Sequence, residues 1–136
     1  MKQIILSTES VADLPKGLVE KYQIQIIPMH VIMDGKDYLE SILSVKEVFD
    51  FYNRTKKIPS TTATNALEYH QLFTKIRMEF PDSIIIHVGY TSRASASFQS
   101  ARIAAQSFEN VYLIDTLNVT GGLAAIVIYA ATLLEE

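Results

Sequence analysis

The residues of this chain with chemistry to offer are its hydroxyls, and their position is more telling than their number. Thr91, Ser92 and Ser95 follow the apolar run Ile84-Ile85-Ile86, and Ser7, Thr8 and Ser10 follow Ile4-Ile5-Leu6. Thr116 and Thr120 follow the run 110–115, and a further polar stretch, KIPSTTAT at 57–64, carries Thr61 and Thr62. Neutral donors gathered where strands end suit the binding of a small polar or anionic head and are poorly suited to acid–base work. The first N–H groups of a helix lack partners within it, so a strand-to-helix junction adds donors of its own. The competing reading is that Ser92 or Ser95 only caps the following helix, and taken alone capping is the weightier of the two.

Other chemistries fare worse. A hydrolase built on Ser92, His87 and Asp115 lacks a G-x-S-x-G elbow around the serine, and His87 falls inside the preceding strand. No G-x-G-x-x-G follows any strand, which argues against a dinucleotide enzyme. No His, Asp or Glu group has metal-ligand spacing, so no metal and no cofactor is expected. A phosphocarrier or sugar-kinase-like domain, of the mannose IIA or dihydroxyacetone kinase type, would need an accessible histidine. His30 and His87 sit in strand-like runs and His70 in a helical one, where structural roles are the simpler expectation.

The elements that must position the hydroxyls alternate. Strands are predicted at 3–7, 24–28, 83–88 and 110–115 from short β-branched apolar runs. Helices are predicted from Asp13-Leu14-Pro15, with Asp13 as N-cap, and from the capping-box spacings at Ser44 and Asn65. Two more follow, from Ala94, with Phe98, Ala101 and Ala105 at helical spacing, and from about Leu123 to Leu134. Asp34-Gly35 between His30 to Met33 and Lys36-Asp37-Tyr38 predicts a hairpin with a primed turn, while 57–64 reads as loop. The fold class is therefore α/β: a three-layer sandwich, its sheet mostly parallel with helices on both faces, plus a small hairpin. In such a sheet the loops after the strands share one edge, where ligands bind. Thr8, Thr61, Ser95 and Thr116 are expected along it.

At 136 residues the chain is one domain's worth. With a net charge of −3 and twelve scattered Lys and Arg residues, it carries no nucleic-acid footprint. There is no cysteine. No secretory signal opens it, and its longest apolar run, 123–131, is far short of the ~20 residues of a membrane span, so a cytoplasmic location is expected.

Four motifs in order resemble the DegV family of bacterial fatty-acid-binding proteins, and the resemblance runs from the first strand to the last helix. Thr8-Glu9-Ser10-Val11-Ala12-Asp13-Leu14-Pro15 is similar to T-D-S-T-x-D-L-P, and Thr61-Thr62-Ala63-Thr64 to T-S-Q-P. Residues 91–101, TSRASASFQSA, resemble S-S-x-L-S-G-T-Y-x-S-A; Ile114-Asp115-Thr116 with Thr120-Gly121-Gly122 resembles I-D-S followed by a Ser and glycines. Departures are Glu9 for Asp, Ala63 and Thr64 for Gln and Pro, and Ala96 for a Gly, a residue that disfavours positive φ.

The resemblance implies a non-enzymatic carrier that buries the tail of a long-chain fatty acid and holds its carboxylate by hydroxyls, in some members for presentation to a fatty acid kinase. Carried over by motif, the head-group hydroxyls are Thr61 and Ser95, supported by Thr62, Ser92 and the Ala96 N–H. It also implies a second domain of comparable size, with the lipid between the two. Residues 1–136 correspond to the first, N-terminal domain, and the second is absent from this sequence. Such a domain on its own is expected to expose an apolar patch beside the hydroxyls.

Overall fold

The computed structural model describes residues 2–135. In chain order it runs β1 (Ile4–Glu9), α1 (Lys16–Lys21), β2 (Gln25–Ile27), β3 (His30–Met33), β4 (Lys36–Leu39), α2 (Val45–Thr55) and β5 (Ser60–Thr62). It continues through α3 (Ala66–Glu79), β6 (Ile84–Gly89), α4 (Ser97–Ala105), β7 (Val111–Asp115) and α5 (Thr120–Leu133). Short 3-10 turns occupy Ser10–Ala12 and Glu40–Ile42.

Strands β2-β1-β6-β7 form one sheet, in that order and parallel throughout, as the alternation of apolar runs and helices predicts. Successive side chains of a strand point to opposite faces, and this divides the core in two. Ile5 and Ile85 face Tyr69, Phe73 and Ile76 of α3 and Ala101 and Ala104 of α4. Leu6 and Val88 face Leu123, Val127 and Ala131 of α5, with Ala12 and Ile24 beside them. The result is the expected three layers. Among the described residues no helix is long and apolar enough to cross a membrane.

The second sheet is small and antiparallel, in the order β4-β3-β5. Its hairpin turns through Asp34 at φ 51° and Gly35 at φ 72°, the two positive values that a type I′ turn requires. The third strand departs from the expected loop at 57–64. Ser60, Thr61 and Thr62 pair with Ile32, Val31 and His30. All three are exposed, so β5 buries no face and shows no apolar alternation to betray it.

Helix starts follow the caps where the caps are real. Ser44 with Glu47, and Asn65 with Glu68, form reciprocal capping boxes at α2 and α3. Asp13 does not cap α1: it adopts φ 52° and its Oδ2 accepts the Thr120 hydroxyl at 2.7 Å, tying the β1–α1 connection to the start of α5. Helix α4 begins at Ser97 rather than Ala94. The chain first closes a turn in which the Thr91 carbonyl accepts Ala94 N–H at 3.2 Å and the Thr91 hydroxyl accepts Arg93 N–H at 3.2 Å.

Candidate functional site

The edge beyond the carboxyl ends of β6 and β7 carries a cleft of about 530 Å³ formed by the β6–α4 loop and the first turns of α4. Ser92, Ser95 and Ala96 line it, joined by Arg93, Gln99, Arg102 and Asp115. Its rim is shaped by Asp115, whose Oδ1 accepts the N–H groups of Ser92 and Leu117, each at 3.2 Å. Partial burial favours the neutral acid. The Ser92 and Leu117 hydrogen bonds and the Arg93 charge nevertheless hold the Asp115 carboxyl below its ordinary range. Ser95 is half-buried at the mouth of α4, its Oγ accepting Ser97 N–H at 3.1 Å. That bond is the capping role weighed from the sequence, and Ser95 also lines the cleft. Ala96 has φ −75°, so no left-handed conformation is needed where the family motif has Gly.

Thr61 and Thr62 do not line this cleft; they lie on β5. The link between the two loops is Ser97, which sequence reasoning passed over. Its fully buried Oγ accepts Thr64 N–H at 3.2 Å and lies 2.9 Å from Ser95 Oγ. One side chain thus joins the segment after β5 to the β6–α4 loop.

Two expected members of the edge serve the fold instead. Thr8 is buried and donates to the Val88 carbonyl at 2.7 Å, and Thr116 donates to the Gly89 carbonyl at 2.8 Å. Each closes a gap between neighbouring strand ends, so neither hydroxyl is free for a ligand.

Beneath the site lies a buried polar cluster. The register that sets Ser7 beside His87 points both, together with Glu9, at α3. Glu9 Oε1 accepts the Tyr69 hydroxyl at 2.7 Å and His87 Nε2–H at 3.0 Å, while Oε2 accepts Tyr90 N–H at 2.9 Å. Ser7 Oγ lies 3.0 Å from His87 Nδ1, and Ser7, Glu9, Tyr69 and His87 are all fully buried. Burial alone would raise the Glu9 carboxyl. The pull of His87, the Tyr69 hydroxyl and the Tyr90 N–H outweighs it and holds the group below the usual carboxylate range. Burial also raises the Tyr69 phenol, reinforced by the Glu9 charge, so it remains a donor. The polar run Ser7 to Glu9 ending β1 and the lone His87 within the apolar run of β6 were the available sequence signal.

The other histidines are also occupied or displaced. His30 lies between Asp37 Oδ1 at 2.8 Å and Glu68 Oε1 at 2.6 Å, clamping the hairpin to the first turn of α3. Its hydrogen bond to Asp37 raises it above its ordinary value, with Glu68 adding to the effect. His70 is exposed on α3 and stacks near Phe108, with ring centroids 4.9 Å apart. Among the described residues no group of three His, Cys, Asp or Glu is placed to hold a metal ion.

Apolar side chains are exposed between residues 42 and 58. Ile58, in the segment leading into β5, is 84% exposed, and Ile42, Val45, Phe49 and Tyr52 are exposed on and just before α2.

The fold is thus a parallel α/β sheet with a hydroxyl-lined cleft beyond its strand ends. The chain belongs to the DegV family: residues 3–136 match the family described as "Uncharacterised protein, DegV family". A DegV domain-containing protein of Clostridium acetobutylicum is 32% identical over 139 residues, covering 100% of this chain and 49% of the relative. The solved structure described as "Fatty Acid Binding of a DegV family Protein from Thermus thermophilus" superposes with a TM-score of 0.88 at 25% identity, covering 98% of this chain and 48% of the other. A "degv lipid binding protein" of Thermotoga maritima gives 0.85 at 25% identity, with coverages of 98% and 48%. The chain spans about half the length of the relatives it matches.

Proposed function

We propose that this chain is the head-group domain of a fatty-acid carrier without catalytic activity of its own. Ser95 and Thr61 hold the carboxylate of a long-chain fatty acid, with Thr62, Ser92 and the Ala96 N–H in support. The observation that carries this reading is the Ser97 link, which ties Thr64, beyond Thr61 and Thr62, to Ser95 at the mouth of α4. The fatty-acid binding named for the Thermus thermophilus relative supports the same ligand class. Exposed apolar side chains such as Ile58, just before β5, supply surface for the tail, and in the full-length relatives a second domain would supply the rest. A fatty acid kinase is the partner that would act on a carboxylate presented in this way. The phosphocarrier alternative is disfavoured, because both nitrogens of His30 and of His87 are engaged and the exposed His70 is not among the residues that line the cleft.

The tail and the head contribute differently. Burial of an acyl chain is worth ~0.8 kcal/mol per methylene, whereas each hydrogen bond to a carboxylate adds ~1.5–3 kcal/mol. The tail dominates affinity and the hydroxyls select the head. Thr61→Val and Ser95→Ala should therefore each weaken palmitate binding by roughly tenfold to a hundredfold, non-additively because both groups contact one carboxylate. Unchanged palmitate affinity with lowered unfolding stability would make both residues scaffolding and overturn the reading.

A further inference from the structure

We infer that Ser97 is a positioning residue for the head-group site: its buried hydroxyl brackets the β5 loop to the β6–α4 loop and so sets the placement of Thr61 relative to Ser95. The inference rests on the carrier reading above for its ligand, but its geometry stands apart from any ligand. Ser97 is fully buried and cannot touch a molecule in the cleft. Its side chain is nevertheless the node where two loops meet, accepting Thr64 N–H at 3.2 Å and lying 2.9 Å from Ser95 Oγ.

The polarity of that node matters. A hydroxyl has one proton and two lone pairs. Ser95 Oγ already accepts Ser97 N–H at 3.1 Å. When Ser97 O–H donates to Ser95 Oγ, both lone pairs of Ser95 are engaged and its own proton is left to point into the cleft, at a carboxylate. Ser97 Oγ meanwhile keeps a lone pair for Thr64 N–H. The reverse arrangement would turn the Ser95 proton inward and present its one remaining lone pair to an anion. In the first arrangement the bracket fixes the loop spacing and leaves Ser95 as donor; in the second it fixes the spacing alone.

The node is also anchored from below. The Ser97 hydroxyl lies against the Tyr69 phenol, which is held in turn by Glu9 at 2.7 Å. Thr64 Oγ1 lies 3.2 Å from Met29 Sδ, and the same sulfur is 3.7 Å from Ser97 Oγ. With Thr64, Ser97, Tyr69 and Glu9 all fully buried, the bracket rests on packed core rather than on mobile surface groups.

The test compares Ser97→Ala, which removes the hydroxyl, with Ser97→Thr, which keeps it, in two independent measurements. The first needs no ligand: amide hydrogen exchange at Thr64, with the Phe73 amide of α3 as internal reference. Ser97→Ala should speed Thr64 exchange by about tenfold relative to Phe73, and Ser97→Thr should stay near the parent. The second measures affinity for palmitate and for 1-hexadecanol, which shares the tail and lacks the carboxylate. Ser97→Ala should weaken palmitate by about tenfold with hexadecanol nearly unchanged, and Ser97→Thr should restore the preference for palmitate. Unchanged Thr64 exchange in Ser97→Ala would overturn the bracket. Equal weakening of both ligands would reduce Ser97 to a structural role and overturn the positioning claim. A parent chain that binds palmitate no better than hexadecanol would instead refute the carrier reading, and the Thr64 exchange result would still report separately on the bracket.

Discussion

Replacing Glu9 by Gln tests the buried cluster more sharply than any truncation, because it preserves the side chain's shape and removes only the charge and one acceptor. In the parent, the two carboxylate oxygens accept three hydrogen bonds, from Tyr69, His87 and Tyr90. An amide offers one oxygen. If that oxygen serves Tyr69 and His87, the NH2 group faces the Tyr90 N–H, donor against donor; the flipped amide confronts Tyr69 and His87 instead. The first orientation leaves a buried donor unpaired, at ~1–3 kcal/mol, the second forces His87 into the other tautomer, and both lose the charge-assisted strength of the remaining bonds. The unpaired donor and the weakened bonds together make about 3 kcal/mol the expected loss. For a chain of this length that corresponds to a fall in Tm of roughly 10 °C. Urea denaturation at neutral pH supplies the free energy, and the acid limb supplies a signature. A carboxyl held below its unfolded value contributes stability above the ordinary value of 4.5 and loses it as pH falls through the lower folded value. The parent should therefore lose stability on acidification below pH 4.5 more steeply than Glu9→Gln. A Glu9→Gln protein as stable as the parent, with the same acid slope, would refute the assignment of an ionised, fully paired Glu9.

His30 should give the opposite slope: raised by Asp37 and Glu68, it contributes stability that is fully present below pH 6.5 and lost as pH rises through its higher folded value. Because Asp37 is largely exposed, the effect is no more than ~1 kcal/mol, and unfolding free energies for the parent and His30→Gln between pH 6 and 9 should show it flattened in the variant. Gly89→Ala would set a Cβ 2.7 Å from Phe98 Cδ2 at the end of β6, costing ~1–3 kcal/mol by thermal melting. Phe98→Leu in the same chain should recover part of that loss.

The four parallel strands, the hairpin with its turn and the two capping boxes were legible because each has a short-range cause: an apolar run, a pair of turn residues, a Ser or Asn three residues before a Glu. Strand β5 was not, since Ser60, Thr61 and Thr62 are all exposed and their strand character comes from pairing with β3 rather than from their own pattern. The start of α4 was misplaced because Thr91 spends its hydroxyl and carbonyl on a turn, which no periodicity records. Thr8 and Thr116 look like Ser92 and Ser95 in sequence but bond to backbone carbonyls across strand ends. The bracket of Thr64 to Ser97 joins positions remote in the chain, as does the pairing of Glu9 with His87. Only the register of β1 against β6, set by the buried faces of the sheet, brings the latter pair together.

Native mass spectrometry of the protein as it comes from cells tests the carrier assignment most directly. The account predicts a bound species whose mass equals a fatty acid, lost on solvent extraction and restored by added palmitate, and markedly depleted in the Thr61→Val, Ser95→Ala double variant. A protein that carries no such mass and takes up no palmitate would contradict it, and a phosphate covalently attached to His30, His70 or His87 would replace it with the phosphocarrier reading.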